Sequence, residues 1–315
     1  MLQQKVKELF ASQLEQWPMA RRNFDDLNSV QVAEVRFDAC RMPITFNAGR
    51  IRSTAAKVDK KTIAERRCFL CGENRPAEQE GIEYGRYTIL INPFPIFKNH
   101  LTIPDSSHTD QMMNAERMGE MLDLAHDLSD WAIFYNGPKC GASAPDHFHF
   151  QAGDRGVMPV EEEIKKADKV LYKSEKLTVK TIDNYVRKVV ILEGKERDVL
   201  TAAVEQVMKA VGEVVVREPE PMVNIITVWD ENEWRVAVFP RREHRPSQFF
   251  LEDEAAKIVF SPGAVDFGGI MILPRKEDFD RLQVEKETIA DMFGQLSFTD
   301  EQFAELTDKI AKFSL

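Results

Sequence analysis

Two stretches of this 315-residue chain run through the same order of elements, and that repetition limits the available folds more than any other feature. In the first, Tyr87–Ile91 and His100–Ile103 are short apolar strands, and residues 110 to 128 carry Met113, Met121, Leu124 and Leu128 at helical spacing. Trp131–Tyr135 and the segment from His147 return as strands. In the second, Leu177–Ile182 and Val186–Leu192 alternate as strands, and Arg197 to about Val214 sets Leu200, Val204, Val207 and Val211 on one helical face. Met222–Trp229 and Trp234–Phe239 then flank Asp230-Glu-Asn-Glu, a hairpin signal. Each half reads strand, strand, helix, strand, strand, which predicts a structural duplication without sequence repetition.

The last strand of the first half carries the chemistry. From His147 to Gln151 the residues alternate strictly, so a strand there shows His147, His149 and Gln151 on one face and buries Phe148 and Phe150 on the other. A solvated amphipathic strand is the plain alternative, but two of the six histidines of the chain stand here behind a Gly141-Ala-Ser-Ala-Pro loop. That loop offers backbone N–H groups and the Ser143 hydroxyl to phosphate oxygens, and the strand offers a nucleophile beside them. The matching strand of the second half, Val236-Ala-Val-Phe239-Pro-Arg241-Arg242, has no His-x-His, so the copy lacks the nucleophile. It offers charge instead, in Arg241, Arg242, His244 and Arg245.

Cys68-Phe-Leu-Cys71 has the spacing that brings two thiolates to one ion, with His100, His108 and His147 available downstream to complete a tetrahedral shell. A redox dithiol is the competing reading, and it expects a βαβ setting that the surrounding turn and hairpin-like strands do not supply. Four cysteines in a chain of this size do not make a disulfide framework, which points to a reducing compartment and a cytoplasmic location. The N-terminal segment breaks its apolar positions with charge, and no run is long enough to span a membrane. A net charge of −10 argues against general nucleic-acid binding, so an anionic ligand requires a local basic pocket.

Elsewhere, residues 1 to about 20 read as a helix ended by Pro18, and Val30–Phe37 as a strand. Residues 43 to 57 read as an irregular basic arm bearing Arg50, Arg52 and Lys57. Thr299-Asp-Glu-Gln302 is a capping-box pattern opening a final helix with Phe303, Leu306, Ile310 and Phe313 inward.

The His-x-His-x-Gln strand, the Ser loop and the cysteine pair together resemble the transferase branch of the histidine-triad superfamily, which includes galactose-1-phosphate uridylyltransferase, diadenosine tetraphosphate phosphorylase and GDP-galactose phosphorylase. The resemblance implies an α+β fold of two histidine-triad-like halves, with antiparallel sheets joined into a half-barrel and helices packed on one side. It divides the chain into an N-terminal helix and arm (1–60), a catalytic first half (61–160) and a degenerate second half (161–315). It implies a structural zinc on Cys68, Cys71, His108 and His147, with His100 as the rival third ligand. His149 becomes the nucleophile that forms a nucleotidyl-histidine, Ser143 steadies the phosphate, and Gln151, where the hydrolases keep a third His, favours transfer over hydrolysis.

Asn92 and Phe94 fall where the family walls base and ribose, Arg50 and Arg52 on its phosphate-facing arm, and Asn136 beside the Ser loop. Lys139, Arg241 and Arg242 are candidates to hold the leaving or incoming group. The implied partners are a nucleotide or nucleotide-sugar substrate and a phosphate or sugar-phosphate acceptor, with a homodimer compatible and neither nucleic acid nor membrane involved. Here Phe148 stands between the histidines where the uridylyltransferases have Pro, so base, sugar and acceptor stay open. A nucleotide hydrolase and a non-catalytic nucleotide-binding module are the alternative readings.

Overall fold

The computed structural model describes residues 1–50 and 60–314. Its helices, numbered in chain order, are α1 (Leu2–Gln16), α2 (Pro18–Asp25), α3 (Lys60–Glu65), α4 (Ala115–Asp127), α5 (Val160–Glu163), α6 (Arg197–Val214), α7 (Ala264–Phe267), α8 (Lys276–Leu282), α9 (Lys286–Leu296) and α10 (Asp300–Ile310). Strands β1 (Gln31–Arg36) and β2 (Arg41–Phe46) precede the first half. That half holds β3 (Gly81–Tyr84), β4 (Tyr87–Ile91), β5 (Leu101–Pro104), β6 (Trp131–Asn136) and β7 (His149–Asp154). The second holds β8 (Lys169–Lys173), β9 (Leu177–Thr181), β10 (Val190–Gly194), β11 (Val223–Asp230) and β12 (Glu233–Pro240), and β13 (Met271–Leu273) follows.

One ten-stranded sheet runs in the order β3-β4-β5-β7-β6-β11-β12-β10-β9-β8. Read outward from its middle, the order is the same in both directions: β6 answers β11, β7 answers β12, β5 answers β10. The expected duplication is therefore present, and the halves are joined edge to edge by antiparallel pairing of β6 with β11, where Asn136 faces Asn224. The sheet stays open and forms no closed barrel. Its outermost strands, β3 and β8, extend each half by one strand beyond the pattern predicted from sequence; both are short and partly exposed, so their apolar signal is weak.

Helices α4 and α6 lie together on one face, with α1 over β3 and β4 and α10 against α6 and β8. One buried cluster runs beneath them through both halves, from Ile89 and Phe150 to Val204 and Val236. The other face is covered by a smaller sheet, β1-β2-β13, together with α7, α8 and α9. The longer helices thus share one side as expected, and the second side carries additional cover.

Two local expectations change. Pro18 ends α1 but also opens α2 at its first turn, where the missing N–H loses nothing. The arm read as irregular contains β2, in which Met42 and Ile44 are fully buried. Pro43 is accommodated because β13 pairs with β2 only from Ile44 onward. The β11–β12 hairpin turns through Glu231 and Asn232 at φ of 52° and 63°, the left-handed pair that matches strand twist. The final helix has its capping box, Thr299 and Gln302 each bonding the other's backbone N–H. Among the described residues no helix is long and apolar enough to cross a membrane.

Candidate active site

Strand β7 begins at His149, so His147 lies in the turn before it and only His149 and Gln151 share the strand face. Phe148 and Phe150 are fully buried in the helix-side core, as their alternation predicts. The pairs that the β6–β7 register would make next, Tyr135 against Phe150 and Asn136 against His149, are absent. The buried side chain of Gln111 fills that gap. Its Oε1 accepts the His149 N–H at 2.8 Å and its Nε2 donates to the carbonyls of His149 and Asn136, each at 3.0 Å. One amide thereby satisfies the backbone polar groups freed where the strands part. The parting opens a cavity of about 490 Å³ whose lining includes His149, Gln151 and Ser143.

The state of the His149 ring follows from one bond. Nδ1 lies 2.8 Å from the carbonyl oxygen of His147, which can only accept, so Nδ1 carries the proton and Nε2 keeps a lone pair. Burial pushes the His149 pKa down to about 4, against the opposing pull of that carbonyl. The ring is a neutral imidazole with its nucleophilic nitrogen free of that bond.

Gln151 is oriented by His100. The Ile96 N–H donates to His100 Nδ1 at 3.1 Å, which leaves the proton on Nε2. Nε2–H then donates to Gln151 Oε1 at 3.0 Å. The carboxamide must therefore turn its NH₂ group away from His100, and Gln151 itself lines the cavity. Both His100 nitrogens are thus engaged in this chain of bonds, and His100 is not part of the cysteine cluster, which removes it as a rival metal ligand. Burial pushes its pKa down to about 3, with the Arg50 charge acting in the same direction.

The ligand atoms of Cys68, Cys71, His108 and His147 all lie within 4.8 Å of one another, which makes them a candidate metal site. Cys68 Sγ is 3.2 Å and Cys71 Sγ 3.5 Å from His147 Nδ1, and Cys71 Sγ is 3.1 Å from His108 Nδ1. His147 Nε2–H donates to the Asp105 carbonyl at 2.8 Å, so Nδ1 presents its lone pair to the thiols. A backbone carbonyl fixing the far nitrogen is the usual support of a histidine ligand.

The remaining expected residues divide by position. Ser143, Asn92, Phe94, Arg50 and Asn136 line the cavity. Asn92 holds its loop by accepting the Phe94 N–H at 2.9 Å, and Arg50 donates to the Phe94 carbonyl at 3.1 Å. The Asn136 carboxamide oxygen is engaged by Asn224 Nδ2 and the Ala264 N–H, so this residue ties the halves together at the cavity floor. Arg52 and Lys57 lie outside the described residues. Lys139 is exposed and does not line the cavity.

Arg241 and Arg242 are corrections. Arg241 is buried, and its guanidinium donates to Asn224 Oδ1 and the carbonyls of Pro262, Glu243 and His244 at 2.8–3.1 Å. Arg242 donates to the carbonyls of Ser297 and Gly294 at the end of α9. Neither lines the cavity; His244 and Arg245 do. Gln111, Arg66 and Asp266 also belong to the site and were not singled out by sequence. Arg66 bonds Asp146 at 2.6 Å and lies over the Phe69 ring. Asp266, its pKa raised to about 6 by burial, accepts the N–H groups of Gly263 and Ile272.

A family profile described as "Domain of unknown function (DUF4922)" matches residues 9–154, and one described as "GDPGP1-like, C-terminal domain" matches residues 159–314. No curated protein matches the sequence. Among solved structures, yeast Ap4A phosphorylase Apa2 in complex with Ap4A aligns with a TM-score of 0.61 at 13% identity, over 90% of this chain and 97% of that chain. The same enzyme in complex with AMP aligns at 0.60 with 14% identity, over 90% of this chain and 97% of that one. The chain shares their fold.

Proposed function

We propose that this chain is a transferase of the histidine-triad superfamily, a reading its GDPGP1-like C-terminal match and its fold support, and that it moves a nucleotidyl group from a nucleotide sugar or dinucleoside polyphosphate to a phosphate-bearing acceptor. The observation that carries the reading is the His149 ring: buried, held neutral, Nδ1–H on the His147 carbonyl, Nε2 lone pair available in a cavity of nucleotide size. In the first half-reaction Nε2 attacks the α-phosphorus, a P–N bond forms, and the P–O bond to the leaving phosphate breaks. In the second, an acceptor phosphate oxygen attacks the same phosphorus and the P–N electron pair returns to Nε2. Covalent capture splits one transfer into two displacements and implies ping-pong kinetics.

Gln151 supports transfer over hydrolysis. Its NH₂ group, turned by His100, can donate to a non-bridging phosphate oxygen, but an amide cannot take a proton from water. The intermediate is then better matched to an acceptor that arrives already ionised. The hydroxyl of Ser143, which lines the same cavity, is suited to the same phosphate.

Two thiolates and two imidazoles suit zinc, and four protein ligands leave no open position, so the metal would be structural. Bound there, zinc would supply a crosslink between the Cys68 turn and His147, whose carbonyl fixes the His149 tautomer. One metal per chain is expected by elemental analysis, lost in Cys68→Ser with a lower melting temperature. A metal-free wild type of undiminished stability would refute this.

Incubation with labelled nucleotide donors is expected to yield an acid-labile, base-stable adduct that His149→Ala abolishes while the fold and metal content persist. No adduct from any common nucleotide donor would refute the transfer reading.

A further inference from the structure

The segment from Thr109 to Met113, which delivers Gln111 between β6 and β7, forms neither helix nor strand, yet it is tied down along its length. The Thr109 carbonyl accepts the Phe148 N–H at 2.6 Å, and the Gln111 N–H donates to the Pro145 carbonyl at 3.1 Å. Arg117, in the first turn of α4, donates to the carbonyls of Asp110 and Met112 at 3.2 and 2.6 Å, on either side of Gln111, and to Thr109 Oγ1 at 2.7 Å. Its guanidinium lies 3.8 Å over the ring of Phe148, the residue between the two histidines. The far end is held by the second half of the chain. The Met113 N–H donates to Glu220 Oε2 at 2.8 Å, and Glu220 Oε1 accepts the Tyr135 hydroxyl at 2.7 Å. Glu220 is buried, and the Tyr135 ring stacks on the same Phe148 with 5.8 Å between centroids.

Satisfying backbone groups does not by itself explain this arrangement. Pairing of β6 with β7 satisfies such groups directly from Phe134 and Gln151 outward, and the same ladder continued by two residues would let Asn136 and His149 bond each other. The carboxamide takes the place of that ladder at a greater width. At that width Phe134, Asn136, His149 and Gln151 all line the cavity. Both the N–H and the C=O of His149 are bonded to Gln111, and the His149 ring is held at Nδ1 by the carbonyl two residues before it, so the direction of Nε2 follows the backbone that Gln111 holds. We propose that Gln111 is a positioning residue, which sets the reach of the His149 ring into the cavity, and that the second half supports it through Glu220. The half that lacks a nucleophile thereby helps to place the one in the other half. A misplacement of about 1 Å at a reacting group costs on the order of a hundredfold in rate, so a clamp on the nucleophile's own peptide is a rate-determining device. The inference rests on the transfer reading above.

Gln111→Met keeps the length of the side chain and removes its polar atoms. Formation of the nucleotidyl adduct from a labelled donor is expected to slow by roughly a hundredfold, while the donor Kd changes by less than about threefold. Ring-nitrogen NMR shifts of histidine-labelled protein give a readout that a loss of stability alone would not move. Wild type should show His149 as one tautomer, protonated at Nδ1, and Gln111→Met should shift both ring nitrogens toward averaged values. Glu220→Leu lies outside the cavity and keeps the clamp's own atoms, so it carries the test even where Gln111→Met fails to fold. It should slow adduct formation by about tenfold or more with the same small change in Kd. Wild-type adduct rates in the folded variants, an unchanged single tautomer, or equal losses of rate and donor affinity overturn the positioning role. A wild type that forms no adduct with any donor overturns the transfer reading and the proposal with it, so the two failures are distinguishable.

Discussion

An imidazole can attack phosphorus only in its neutral form, and the residues around His149 keep its ring in that form. The same condition holds for His100, whose two nitrogens are fixed as acceptor and donor by Ile96 and Gln151. With a folded pKa of about 3 against an ordinary 6.5, His100 contributes stability that is complete above pH 6.5 and is lost as the pH falls from there toward 3. Near pH 5 the unfolded chain binds close to one proton that the folded chain refuses, a slope of about 1.4 kcal/mol per pH unit. His100→Asn, compared by urea unfolding at several pH values, is therefore expected to show a flatter acid limb between pH 6.5 and 4; equal slopes would remove His100 as a source of acid sensitivity. The motif residues at this scale, His149, Gln151 and the two cysteines, were legible because each stands at a fixed offset from another. Gln111 and Arg66 were not, since nothing in the spacing around either shows that it reaches a strand or loop far along the chain.

At the scale of elements, the site is an interruption of a sheet. Strands β6 and β7 part where Gln111 enters, and two loops close the gap: the one following β6, and the one running from Ser261 to Gly263. Their contact is backbone on backbone. Gly141 has φ of 95°, and a Cβ there would meet Gly263 Cα at 2.8 Å and the Pro262 carbonyl at 2.9 Å. A non-glycine residue in left-handed conformation costs roughly 1–2 kcal/mol before any collision is counted. Gly141→Ala should therefore destabilise the protein by at least that amount and displace the Ser143 loop, measured as a lower urea midpoint together with slower adduct formation. A wild-type midpoint would mean that the loops separate readily. Element type was well announced by periodicity, with α6 matching its expected span from Arg197 to Val214. The misreading of Arg241 and Arg242 has the same origin as that success. A charge run shows that cations are present but not which of them turn inward, and the run passes into the cavity two residues later, once β12 has ended at Pro240.

For the whole molecule, duplication was visible as an order of elements, whereas the sharing of one sheet was not, because the seam residues Asn136 and Asn224 belong to no motif and meet only in three dimensions. That sharing has a consequence for unfolding. A chain of two domains would be free to lose one before the other, but here the sheet is continuous and a single buried cluster runs from Trp131 and Phe150 into Val204 and Trp234. Neither half can open at β6–β11 without exposing apolar surface and the Asn136–Asn224–Arg241 hydrogen bonds of the other. The four tryptophans fall on both sides of the seam, Trp17 and Trp131 before it and Trp229 and Trp234 after it, the latter two also touching His126 and Leu122 of α4, so the second pair reports the contact between halves as well. Variants retaining tryptophan in one half only, the others replaced by Phe, should give coincident urea transitions that also match circular dichroism on the metal-saturated protein. Two separated midpoints would show that the halves are held by contact alone and that the first half can survive without its partner.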